Sequence, residues 1–201
     1  FCDHRYLHSF PTRRSSDLEN VPGMRKFPVV MEAFQELPGY YVTVFCPVDA
    51  LDCGLPQKRE RLIMIGSRRP FSPEPPHFTI KTKLKDILEK DVSVDIPGYV
   101  IKRLEGGYRD KPIISDPDDP SSYAPTCVAH YAKDRGTRMV KDPKSQIGCR
   151  PYTVREYARL QGFPDDFIFV GSESDAYRMI GNAVPIPMAE WIGKEITKYF
   201  S

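Results

Sequence analysis

Four groups of side chains in this sequence could act on a ligand. Glu19 stands in Glu19-Asn20-Val21, directly before Pro22 and Gly23. A carboxylate held at such a break in the chain can give a proton or a strong hydrogen bond to a bound base, provided burial raises its pKa from about 4.3 toward neutrality. Residues 57–61 read Gln-Lys-Arg-Glu-Arg. Alternation along an extended chain puts Gln57, Arg59 and Arg61 on one face, with Lys58 and Glu60 on the other. Two guanidiniums on one face suit a base carbonyl and nearby phosphates, since each offers a planar fork of N–H donors. Residues 128–150 hold six cations (Lys133, Arg135, Arg138, Lys141, Lys144 and Arg150) against two acids, Asp134 and Asp142. With Tyr123, His130 and Tyr131 close by, that balance fits a surface that tracks phosphates. Asn182, in Gly-Asn-Ala-Val-Pro at 181–185, offers both a donor and an acceptor at a turn.

The elements that must position these groups can be read from periodicity. Pro28 opens a helix at its favoured first position, and Val30, Ala33, Phe34 and Leu37 give it one apolar face before Pro38-Gly39 stops it. Residues 40–48 are β-branched and aromatic and read as a strand. Residues 49–60 are a loop, and 61–67 form a short, nearly continuous apolar strand buried on both faces. From residue 68 to about 150 prolines, glycines and scattered charges dominate, with one short helix expected at 83–90. Thr153 and Glu156 form a capping box, Val154, Tyr157 and Ala158 an apolar face, and Gly162 with Pro164 an end to that helix. Met188, Trp191, Ile192, Ile196 and Tyr199 line one side of a last helix. Helices and apolar strands on both sides of a loop-rich insert predict an α/β domain interrupted by a smaller one.

Composition narrows the classes. Hydrophobic residues make up 40% and charged residues 28% of 201, which is globular rather than disordered. The net charge is only +2, so any nucleic-acid role needs a local basic patch. Prolines number 20, about twice the usual share, and imply many turns. No apolar run approaches a membrane span, and no membrane partner is expected. The five cysteines form no C-x-x-C pair, so neither a metal site nor a disulfide framework is expected, and a reducing intracellular setting fits. Residues 8–18 read HSFPTRRSSDL, the translation of a widely used sequencing adapter in one frame. Residues 1–18 are therefore expected to be an assembly artefact or a disordered tail, joined to a truncated gene.

Glu19-Asn20-Val21, Gln-Lys-Arg-Glu-Arg at 57–61, RPYTVREYARLQGFPDDF at 150–167 and Gly-Asn-Ala-Val-Pro at 181–185 occur in the order seen in cytosine-5 DNA methyltransferases. From residue 19 onward the chain resembles the C-terminal half of such an enzyme. The resemblance implies the later part of a Rossmann-like methyltransferase sheet domain, from residues 19–70 and 148–201. A small irregular target-recognition domain, residues 71–147, is inserted in it. YAPTCVAHYAK at 123–133 resembles the return from that insert, with Cys127 a packed thiol.

Family enzymes add a cysteine thiolate to carbon 6 of a cytosine flipped out of double-stranded DNA, pass a methyl group from S-adenosylmethionine to carbon 5, and lose the carbon-5 proton. The resemblance gives Glu19 the hydrogen bond to ring nitrogen 3, Arg61 a contact to the flipped base and Arg59 a share in ordering the site. It places Asn182, Ala183 and Val184 at the cofactor pocket. Gln57, Lys133, Arg135 and Arg138 are the expected DNA contacts. The family's proline–cysteine nucleophile and glycine-rich cofactor loop belong before Glu19 and are not found there, so the chain alone is expected to be inactive. A DNA-recognition module without chemistry, or one subunit of a split methyltransferase completed by the missing N-terminal half, are the other readings. The setting would be cytoplasm or nucleoid in a bacterium or phage, and the nucleus in a eukaryote.

Overall fold

Leu62, Ile63, Met64 and Ile65 sit at the centre of a three-stranded sheet. Their strand, β3 (Glu60–Ser67), lies between β1 (Ser15–Asn20) and β2 (Tyr41–Asp49), antiparallel to both. A strand covered on both faces needs consecutive rather than alternating apolar residues, and none of the four is more than 2% exposed. The structure is a computed structural model and describes residues 15–107 and 113–200.

Residues 15–18, expected in the tail, are part of β1. Ser15 pairs with Ser67, Ser16 with Gly66, Asp17 with Ile65 and Leu18 with Met64. Ladder pairing uses backbone N–H and C=O groups, so an outer strand tolerates a polar sequence. The rest of the expected tail, residues 1–14, lies outside the described residues. Pro47, which has no N–H to give the ladder, falls where the β2 register shifts between Phe45 and Val48.

Two helices accompany this sheet. In α1 (Pro28–Gln35) Pro28 occupies the first turn, as expected. Its apolar face is only partly covered. Phe34 and Leu37 reach a small hollow with Tyr40, Val42 and Met64, Ala33 is exposed, and no residue of the helix is fully buried. In α6 (Ile186–Phe200) Trp191 meets Phe45 edge-on at 5.2 Å. Its indole N–H donates to the Glu74 carbonyl at 2.9 Å, and Glu195 accepts the Glu74 N–H at 3.0 Å.

The chain separates into two compact units. One takes the residues through Asp49, then Glu60–His77 and those from Met188 on; the other takes Ala50–Arg59 and Phe78–Pro187. Residues 150–187 thus fall in the second unit, and the final helix from Met188 on in the first.

That second unit has more regular structure than its composition suggests. It contains α2 (Leu84–Ile87), α3 (Gly98–Glu105) and a small sheet in which β4 (Ile113–Ser115) runs parallel, and β6 (Cys149–Pro151) antiparallel, to β5 (Arg138–Lys141). Two further helices, α4 (Val154–Leu160) and α5 (Glu173–Asn182), each begin with a reciprocal capping box, Thr153 with Glu156 and Ser172 with Asp175. The core is built on three tyrosines. Tyr131 stacks on Tyr157 at 4.5 Å, and Tyr177 stands edge-on to both at 5.1 and 5.3 Å. Every hydroxyl is spent on backbone. Tyr131 donates to the Arg138 carbonyl, Tyr157 accepts the Val128 N–H, and Tyr177 donates to the Tyr152 carbonyl. This satisfaction makes burial of three phenols tolerable.

Beside this core lies an ion pair. Arg150 grips Glu156 through both terminal nitrogens at 2.7 Å and Asp142 through Nε at 2.9 Å. Glu156 is fully buried and also accepts the N–H groups of Glu89 and Thr153. Removing one partner of a buried pair strands the other, at about 3–5 kcal/mol. Glu156→Ala should therefore lower unfolding stability by about that amount in a urea titration, and pairing Arg150→Met with Glu156→Leu should recover part of the loss.

Candidate active site

Glu19 and Arg61 meet in the sheet of the first unit. Glu19 lies opposite Ile63 in the ladder, and Arg61 is two residues from Ile63 on the same face, so the two side chains are diagonal neighbours. Arg61 Nε stands 2.5 Å from Glu19 Oε1, with side-chain exposures of 12% and 25%. Arg61 Nη1 also donates to the Glu60 carbonyl at 2.7 Å. The chain leaves β1 through an Asn20 side chain that accepts the Val21 N–H, then a 3₁₀ turn at Pro22–Lys26. Sequence reasoning required burial to ready Glu19 for proton donation. The structure instead sets the carboxylate against a guanidinium at a partly open position.

Gln57 and Arg59 belong to the second unit and serve its interior. Gln57, expected to contact DNA, is completely buried. Its amide nitrogen donates to the Leu160 carbonyl at 2.8 Å and to Gln161 Oε1 at 3.0 Å, and its oxygen accepts the Cys127 N–H at 2.9 Å. Arg59, 3% exposed, donates to the carbonyls of Cys127 at 2.7 Å, Gly181 at 3.1 Å and Ala183 at 2.9 Å. The expected alternation is incomplete because the regular strand begins only at Glu60. Residues 56–58 instead run beside the returning segment, with Ala124 N–H donating to the Pro56 carbonyl and Lys58 N–H to the Ala124 carbonyl.

Gln161 went unrecognised in the sequence, although it lies inside the strongest motif. It is fully buried and donates to the carbonyls of Ile180 and Ala183 at 2.7 and 3.1 Å, while its own carbonyl accepts the Ile186 N–H at 2.8 Å. Its signal is a long polar side chain at the C-cap of α4, directly after the buried Leu160. Gly181 supplies the other half of this junction. A Cβ there would lie 2.3 Å from Ala129 N and 2.4 Å from the Val128 carbonyl carbon. The expected tight turn at 181–185 is correspondingly short, since α5 runs through Asn182 and α6 starts at Ile186.

Cofactor candidates Asn182, Ala183 and Val184 flank this junction. The Gly181 and Ala183 carbonyls are already engaged, whereas Asn182 is exposed. Val184 is half-buried.

The basic stretch is largely self-neutralised. Arg135 pairs with Glu173 at 2.6 Å and lies over the Tyr177 ring. Lys141 pairs with Asp116, Lys144 with Asp91, and Arg150 with Asp142 and Glu156. Arg138 is half-buried and donates to Thr137 Oγ1; Lys133 is exposed. Cys127 is 1% exposed. Burial pushes its thiol up to about 12, with the Arg59 guanidinium and Tyr157 hydroxyl opposing that rise.

The family model described as C-5 cytosine-specific DNA methylase matches residues 17–198, and the chain belongs to that family. Enzymes of this family take their methyl group from S-adenosylmethionine. The type II methyltransferase M.SsoII of Shigella sonnei is 32% identical over 201 aligned residues, which cover 89% of this chain and 52% of that enzyme. M.MspI of Moraxella is 33% identical over 90% of this chain and 45% of its own. The chain thus spans about half the length of these relatives. In fold it is similar to the Entamoeba histolytica methyltransferase EhMeth (TM-score 0.76, 20% identity, 96% of this chain and 68% of the other) and to S. pombe Dnmt2 (TM-score 0.75, 17% identity, 94% and 66%).

Two outcomes follow from this packing. Gly181→Ala should cost at least about 2–3 kcal/mol in denaturant unfolding, because backbone rather than a flexible side chain must yield. At pH 8, iodoacetamide should label half-exposed Cys46 in the folded protein and spare Cys127, as read by peptide mass spectrometry.

Proposed function

We propose that this chain carries the base-gripping side chains and the DNA-reading segment of a DNA (cytosine-5) methyltransferase. The contact between Glu19 and Arg61 carries the reading. Thiolate addition to carbon 6 of cytosine drives electron density toward ring nitrogen 3, where a carboxyl group can stabilise the developing charge. Arg61 holds that carboxyl in place and keeps further N–H donors for a base carbonyl. A cytosine stacked in a duplex cannot reach such a pair, so the substrate is a flipped base in double-stranded DNA. S-adenosylmethionine supplies the methyl group, with Asn182, Ala183 and Val184 as this chain's contribution to holding it.

No Pro-Cys dipeptide occurs in the sequence. In this reading the nucleophile and the glycine-rich cofactor loop come from polypeptide outside the given residues. Gln57 and Arg59 act as positioning residues, holding the residue-183 turn and the Cys127 return. Lys133 and Arg138 keep a role on phosphates, and Arg135 would join them only by leaving Glu173. The absent Pro-Cys also favours a second reading, a DNA-recognition module with no chemistry.

Co-expression with an N-terminal segment bearing the nucleophile and cofactor loop separates the two. Radiolabelled methyl transfer to DNA should appear, and Glu19→Gln should cut it by at least about 100-fold with duplex binding unchanged. Turnover by the chain alone would refute the need for a second segment. Absence of activity with every such segment, with binding intact, would favour the recognition module.

A further inference from the structure

Cations free for a polyanion also lie outside the densest basic stretch. Residues 75–85 read Pro-Pro-His-Phe-Thr-Ile-Lys-Thr-Lys-Leu-Lys and contain three lysines and no acid. Lys81, Lys83 and Lys85 are all exposed, and among the described residues none has an ion-pair partner.

The backbone that presents them is held at both ends. Thr82 N–H donates to the Gly54 carbonyl at 2.9 Å. Gly54, at φ +85°, packs so closely beneath the strip that a Cβ would lie 2.7 Å from the Ile80 carbonyl oxygen. On the other side Leu84 and Ile87 are 2% and 3% exposed and join the tyrosine core. Lys83 is extended, at φ −88° and ψ 154°. The acid closest in sequence, Asp86, accepts the Lys83 N–H on its Oδ2 at 3.1 Å. Lys85 follows in the first turn of α2, so three cations stand within five residues on one anchored segment.

We propose that Lys81, Lys83 and Lys85 form a phosphate-tracking strip that supplies sequence-independent affinity for duplex DNA. The proposal rests on the DNA reading above and adds a surface that the motifs do not include. Charge complementarity selects the partner. A group of ammonium ions on a fixed backbone suits a line of phosphates, and each contact releases counterions. The anchoring keeps the ordering cost low. Phosphate contacts carry no sequence information, so the lysines contribute register-free affinity rather than specificity.

The test is fluorescence anisotropy on two duplexes of unrelated sequence over a salt series. Three proteins are compared: the full chain, Lys81→Gln/Lys83→Gln/Lys85→Gln, and Lys141→Gln/Lys144→Gln, whose lysines are already neutralised by Asp116 and Asp91. The triple variant should reduce the slope of log K against log salt by about 3 and weaken both duplexes by the same factor. The double variant should change little, and the melting temperature of the triple variant should match the parent's because its side chains are exposed. An unchanged slope in the triple variant, or an equal loss in the double variant, overturns the strip while leaving DNA binding standing. No salt-dependent duplex binding by the parent chain overturns both the strip and the DNA reading. Tighter, equally lysine-dependent binding of duplex RNA overturns DNA as the partner.

Discussion

The second unit depends on one backbone approach, that of the last turn of α5 to residues 128 and 129. Only a glycine at 181 permits it, since a single methyl would penetrate the backbone opposite. Bringing helix and segment together leaves several carbonyls facing inward with no water to satisfy them. Arg59, Gln57 and Gln161 are long polar side chains that reach those carbonyls from neighbouring elements. A buried carbonyl without a donor costs about 1–3 kcal/mol, so this network decides whether the approach is tolerable at all.

Charge is arranged by the same economy. Guanidiniums inside the second unit are matched to acceptors one by one, Arg59 with carbonyls and Arg150 with two carboxylates. Three cations of the 128–150 stretch outside the interior are tied to acids at contact distance. A count of lysines and arginines along the chain therefore overstates the positive field of that stretch and understates that of residues 81–85, where no acid intervenes. In the first unit the pairing of Arg61 with Glu19 concerns two side chains that retain some exposure, which leaves room for a ligand to share their hydrogen bonds.

Much of the fold could be read along the chain. The strand at 60–67, the Pro28 helix start, the Thr153–Glu156 box and the final helix all follow from local rules, because capping, proline geometry and apolar runs act over a few residues. The α5 helix was missed although Ser172 and Asp175 form a capping box of the same kind. Its apolar face is a discontinuous set, Ala176, Tyr177 and Ile180. The sheet formed by β4, β5 and β6 was missed because strands of three or four residues carry almost no periodicity. In the candidate site Glu19 and Arg61 were identified and are found in contact, whereas Gln57 was expected on a surface and lies in the interior. Alternation says which side chains share a face, but not whether that face meets solvent.

The sequence alone determined the family, through four short motifs in order, and the residue types able to act on a base. It determined the main helix boundaries for the same reason, since those depend on neighbours within a turn. Tertiary structure decided which polar groups are used up and which remain available. Gln57, Arg59 and Gln161 satisfy buried partners far along the chain, while Lys81, Lys83 and Lys85 stay exposed, with no ion pair among the described residues. Burial and pairing are set by segments up to 124 residues apart, and no local pattern records that distance.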